Sequence, residues 1–120
     1  MTLSEIRRIQ NIACKISGVP LKTLLSRARD GATVAARFAA IEICFESAPF
    51  KTPKWNHRGP FYDLMGKAFR RCNYQIAYAC SEAKNMILTC EGFASFHQKI
   101  REATKKSETK KVKQKNKLNL

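Results

Sequence analysis

Apolar residues recur every three or four positions through most of the chain, the spacing that lays them along one face of a helix. Leu3, Ile6, Ile9, Ala13 and Ile16 form the first stripe, and Thr2 three residues ahead of Glu5 has the pattern of a capping box at its start. Gly18 stops this helix, and Pro20 suits the first turn of a short second one carrying Leu21, Leu24 and Leu25. Asp30-Gly31 marks a turn. A third helix is predicted from about Ala32 to Phe45, with Val34, Phe38, Ile41 and Phe45 on one face and alanines between them.

The periodicity lapses over 47–60, which holds three of the four prolines together with Trp55, Asn56, His57 and Gly59. This reads as a loop, long for a connection between helices of a small domain. Pro60 opens a fourth helix that runs to Phe69 through Leu64, Met65 and Ala68, and a break follows at Arg70-Arg71-Cys72-Asn73. A longer fifth helix carries Ile76, Cys80, Ala83 and Ile87, and Phe93, Phe96 and Ile100 mark a last one. The fold expected is therefore all-α: one compact bundle of about six helices over residues 1–103.

Charge changes this picture more than any other total. Twenty-three Lys and Arg face 9 acids, giving a formal net charge of +14 over 120 residues. Residues 104–120 hold seven of the lysines and one acid, Glu108, for a net +6, which leaves +8 on residues 1–103. The terminal stretch has too little apolar surface to order itself and is expected to be a flexible basic tail. The folded part is basic without it, as a polyanion-binding domain would be.

The five cysteines, at 14, 44, 72, 80 and 90, form no C-x-x-C pair and are odd in number. Neither a zinc site nor a disulfide framework is expected, and free thiols fit a reducing, cytoplasmic setting. The chain has neither an apolar run long enough for a bilayer nor a signal-peptide pattern at its start, so no membrane association is expected. It also lacks the G-x-x-x-x-G-K-[ST] loop, so no nucleotide or other cofactor is expected. Nothing sets a thiol or carboxylate beside His57 or His97, which read as a loop residue and a half-exposed packing residue, so no enzymatic activity is expected.

Two helices about a tight turn, the second longer and with a basic, amide-rich entry, make a helix-turn-helix. A helix fits the major groove of B-DNA, where its first turns reach the base edges. Asn73, Tyr74 and Gln75 stand at that entry after Arg70 and Arg71. Asn and Gln can pair bidentately with adenine, while Arg pairs with guanine or grips phosphate. Asn73 also suits an N-cap, and Tyr74 could stack on sugar, touch a thymine methyl or cover the turn. Gly66, mid-helix, costs roughly 1 kcal/mol against Ala, which points to a close helix–helix approach.

The same residues resemble a known family, the C-terminal DNA-binding domain of the bacterial replication initiator DnaA, over about Ile6 to Arg101. Leu24-Leu25-Ser26-Arg27-Ala28-Arg29 with Val34-Ala35-Ala36-Arg37, then Met65-Gly66-Lys67-Ala68-Phe69, then Arg71-Cys72-Asn73-Tyr74-Gln75-Ile76 are the blocks that carry it. The resemblance implies a helix-turn-helix fold with Arg29 in the minor groove and Arg37 on phosphate. It also implies that Arg71, Asn73, Tyr74 and Gln75 occupy the base-reading signature; Arg27 and Lys67, within the matching blocks, and Arg70, beside them, are further candidate DNA contacts. Arg70 stands where the family turn has Gly-Gly, with one residue fewer, and the family's Asp-His-Ser-Thr run is Cys-Asn-Tyr-Gln here. The implied docking mode is therefore carried over, but the family's nine-base target is not.

The expected function is sequence-specific binding of double-stranded DNA at replication-origin-like or regulatory sites, placing the protein on the nucleoid. Two alternatives are an RNA-binding or ribosome-associated protein, disfavoured by a scarcity of exposed aromatics, and an adaptor that grips a protein partner through Trp55 and the 47–60 loop.

Overall fold

The structure, a computed structural model, describes residues 2–48 and 59–118, with side chains described up to 107. Trp55, His57 and most of the predicted loop lie outside these residues. Six helices and no strand occur among the described residues: α1 (Leu3–Ser17), α2 (Leu21–Leu24), α3 (Gly31–Ser47), α4 (Pro60–Phe69), α5 (Asn73–Thr89) and α6 (Glu91–Leu118).

Local chemistry sets most of the boundaries. The α1 capping box is present as read: the Glu5 amide donates to Thr2 Oγ1 and the Thr2 amide to Glu5 Oε2, both at 3.3 Å. Gly18 ends α1 in the left-handed region, φ 78°. Pro20 stands at the N-cap of the four-residue α2 rather than inside it. Asp30 does more than turn the chain. Its Oδ2 accepts from the Thr33 amide and hydroxyl, at 3.1 and 2.9 Å, so it caps α3.

The core is built around α3, which packs against α1, α2, α5 and α6. Helix α1 supplies Ile6, Ile9 and Ala13, α4 supplies Met65 and Phe69, α5 supplies Ile76 and Ala83, and α6 supplies Ile100, all buried. The face predicted for α3 needs correcting. Of Val34, Phe38, Ile41 and Phe45, only Ile41 is fully buried, while Ala36, Ala39, Ala40, Ile43 and Cys44 are buried as well. A central helix is covered from several sides, so its small residues lie where neighbouring backbones come closest, and a single stripe understates its burial. Gln10, fully buried on α1, donates from Nε2 to the Ala68 carbonyl at 3.0 Å and ties α1 to the end of α4.

The last helix crosses the start of the lysine-rich segment. Helix α6 runs on to Leu118, and Thr104 is buried, its hydroxyl donating to the Ile100 carbonyl at 2.8 Å. The segment read as a flexible tail contains no Pro or Gly to stop a helix, and lysine is a good helix former. No helix among the described residues is long and apolar enough to cross a membrane.

Candidate nucleic-acid interface

Two segments far apart in sequence meet at one surface. The first is the link from α2 to α3, with Arg27 and Arg29 exposed. The second is the three-residue turn Arg70–Cys72 between α4 and α5. They enclose a cleft of about 630 Å³ lined by Arg27, Arg29, Arg37, Arg70, Arg71 and Gln75 over an apolar floor of Val34, Phe38, Ile41, Tyr78 and Ala79. None of these lining residues is acidic.

The turn is tight because α4 lets it be. The amide of Arg71 donates to the Gly66 carbonyl at 3.0 Å. A Cβ on Gly66 would sit 2.8 Å from the Arg71 carbonyl oxygen, a backbone atom that cannot swing away. The close approach anticipated at Gly66 is thus to the turn rather than to the face of another helix. Arg70 caps α4 at φ 56° and ψ 46°, the one non-glycine residue with positive φ among those described. An L-residue there gives up roughly 1–2 kcal/mol that glycine would not. A long cationic side chain is held at the mouth of the cleft despite that strain.

Arg37 is not where the sequence reading put it. Expected on an exposed polar face, it is buried, with 6% of its surface accessible. Its Nε donates to the Leu24 carbonyl at 3.0 Å, and its Nη2 to the carbonyls of Ser26 at 3.0 Å and Ala28 at 3.1 Å. The chain leaving α2 exposes three carbonyls with no helical partners, and one planar guanidinium satisfies them together. Arg71 reaches the same segment, donating from Nη2 to the Ser26 carbonyl and from Nη1 to the Arg70 carbonyl. Burial, then the charge of Arg71, lowers the pKa of Arg37, with Asp30 opposing. Burial, then the charge of Arg27, lowers that of Arg71. Both cations stay protonated.

The remaining predicted residues divide. Gln75 lines the cleft and is exposed, yet its Oε1 also accepts from the Cys72 amide at 3.3 Å, so it caps α5 as well. Asn73 is not the N-cap; Cys72 is, and Asn73 Nδ2 donates to Asp63 Oδ1 at 3.3 Å. Tyr74 projects outward, 72% exposed, but does not line the cleft. Lys67 is exposed on α4, also outside the lining.

Sequence reasoning missed Tyr78. It lines the cleft, is 57% exposed and meets Phe38 edge-on with ring centroids 6.4 Å apart. Its spacing of four from Tyr74 was the available signal, because residues four apart on a helix share a face. The two exposed tyrosines also correct the expectation that exposed aromatics are scarce here. Compared with known protein families and with curated proteins, the chain matches no family model and no relative.

Proposed function

We propose that the protein binds double-stranded DNA in a sequence-dependent manner, with the start of α5 entering the major groove and Arg29 reaching toward the adjacent minor groove. Origin-like or regulatory sites on the nucleoid are the targets this reading implies. The observation that supports it is the gathering of Arg27, Arg29, Arg37, Arg70 and Arg71 around one cleft without an acidic lining residue. A basic concavity raises the local concentration of a polyanion, and the exposed first turn of α5 beside it offers Gln75 and Tyr74 to base edges. In this reading α4, the turn and α5 act as a helix-turn-helix.

Selection of bound duplexes from a random pool, followed by salt titration on the recovered site, tests the proposal. A recovered motif, with affinity falling roughly 10³–10⁵-fold between 50 and 200 mM salt for six to ten neutralised phosphates, is the expected result. No enrichment, or an affinity indifferent to salt, would overturn it.

One observation favours a second reading. Tyr74 and Tyr78 stand exposed one turn apart beside the arginines, and unpaired bases stack on such side chains. Competition between a duplex, a single strand and a structured RNA in one gel shift separates the two readings. Preference for the unpaired strand would replace groove reading by stacking.

A further inference from the structure

A second cluster of chemistry lies between α3 and α6 and plays no part in the cleft. His97, read from sequence as half-exposed, is 1% exposed, and Glu42 on α3 is 5% exposed. The Nε2 of His97 meets Glu42 Oε2 directly and lies 3.9 Å from Glu46 Oε2. Glu42 and Glu46 are four residues apart on one helix, so both carboxylates come to the same imidazole.

We infer that Glu42, Glu46 and His97 form a site for a divalent cation of the zinc class, pinning α6 to α3. The inference is independent of the nucleic-acid reading. Side chains from facing helices are how bundles build metal sites in their cores. One imidazole nitrogen and two carboxylate oxygens are a donor set that zinc accepts. The three ligand atoms lie within 4.8 Å of one another. Around a zinc ion, with ligand bonds near 2.1 Å and tetrahedral angles, neighbouring ligand atoms sit about 3.4 Å apart. Glu46 has to approach His97 by about half an ångström and Glu42 to draw back by about one, movements of the size that side-chain rotation supplies.

The surroundings leave room for an ion beside the pairs already formed. Glu42 satisfies the Nε2–H of His97, and Glu46 Oε2, 3.9 Å from that nitrogen, also accepts from Arg101 Nε at 3.2 Å, so a bound ion would share this oxygen with Arg101. Arg101 holds Glu46 at 3.0 Å, the outer partner that orients a ligating carboxylate. Glu46 and Arg101 also border a cavity of about 320 Å³, with Ser47 and Thr104 in its wall, from which water can fill the fourth position. On binding, the cation replaces the Nε2 proton of His97, which moves to Nδ1 or to solvent; Glu42 and Glu46 supply two negative charges, the second shared with Arg101.

The test is calorimetric titration of Zn²⁺ into the full-length, metal-stripped protein, with exposed Cys72 and Cys90 changed to serine so that thiols do not compete. One equivalent should bind and raise the melting temperature. Glu46→Gln removes a ligand at the half-open edge of the site, where losing the pair with Arg101 costs the fold little, and should weaken binding at least tenfold. His97→Gln should abolish it. No stoichiometric binding to the parent, or equal binding by parent and Glu46→Gln, overturns the inference, whatever His97→Gln does to folding.

Discussion

The guanidinium groups of Arg37 and Arg71 converge on a single acceptor, the backbone carbonyl of Ser26. One comes from the middle of α3 and the other from the turn before α5, so this carbonyl fastens three segments together. The consequence is a division of labour among the arginines. Arg37 and Arg71 shape the cleft from beneath, while Arg27, Arg29 and Arg70 remain exposed at its edge.

Arg37→Ala should therefore act on stability first. Removing a buried cation that satisfies three carbonyls costs about 1–3 kcal/mol, and Arg37→Lys should recover little, because a point-charge ammonium cannot span them. Arg29→Ala, at an exposed position, should shift stability by less than about 0.5 kcal/mol while weakening duplex binding. Urea midpoints measured beside duplex affinity check the pair. Equal stability of the two variants would show that Arg37 does not hold the segment.

Arg70→Gly should stabilise the fold and weaken binding together. Relief of a left-handed L-residue is worth roughly 1–2 kcal/mol and glycine's extra unfolded-state freedom returns about 0.5–1, leaving a net gain of up to about 1.5 kcal/mol. A higher melting temperature with lower duplex affinity is the expected outcome. A lower melting temperature would mean that the side chain of Arg70 contributes more to the fold than its backbone costs.

Gly66→Ala should destabilise although alanine is the better helix former. The propensity gain of about 1 kcal/mol is opposed by an overpacking cost of about 1–3 kcal/mol against the Arg71 carbonyl oxygen. The net loss, read as a lower urea midpoint, should come with reduced duplex affinity, since the turn that presents Arg70 and Arg71 has to move.

The carboxyl of Asp30 is held below its ordinary value of 3.8 first by the Thr33 hydroxyl and then by the Thr33 amide. A carboxyl with a lowered folded-state pKa stabilises the fold above its unfolded value and loses that contribution as pH falls through the lower, folded one. Stability measured downward from pH about 4 should thus decline less in Asp30→Asn, which keeps a competent cap without a titrating group. Parallel acid limbs for the two proteins would show that the cap contributes nothing through ionisation.

The elements of this protein were legible in its residues because each is specified locally. Thr2 with Glu5, Gly18, Pro60 and the three-to-four spacing of Ile76, Cys80 and Ala83 act within a turn or two of the chain, and helices stand where they indicate. The exposed basic edge was equally readable, since Arg27, Arg29 and Arg70 needed only to be charged and near a turn. Tertiary structure decided what depends on partners distant in sequence. Arg37 turned inward because carbonyls 9 to 13 residues away lacked donors, and no pattern along α3 records that need. His97 pairs with a carboxylate 55 residues off, and Asn73 took up Asp63, ten residues back on the preceding helix, which a reading of the turn alone could not assign. Periodicity measures which side of a helix is apolar. It cannot say which polar side chain the packed neighbours will call upon to satisfy them.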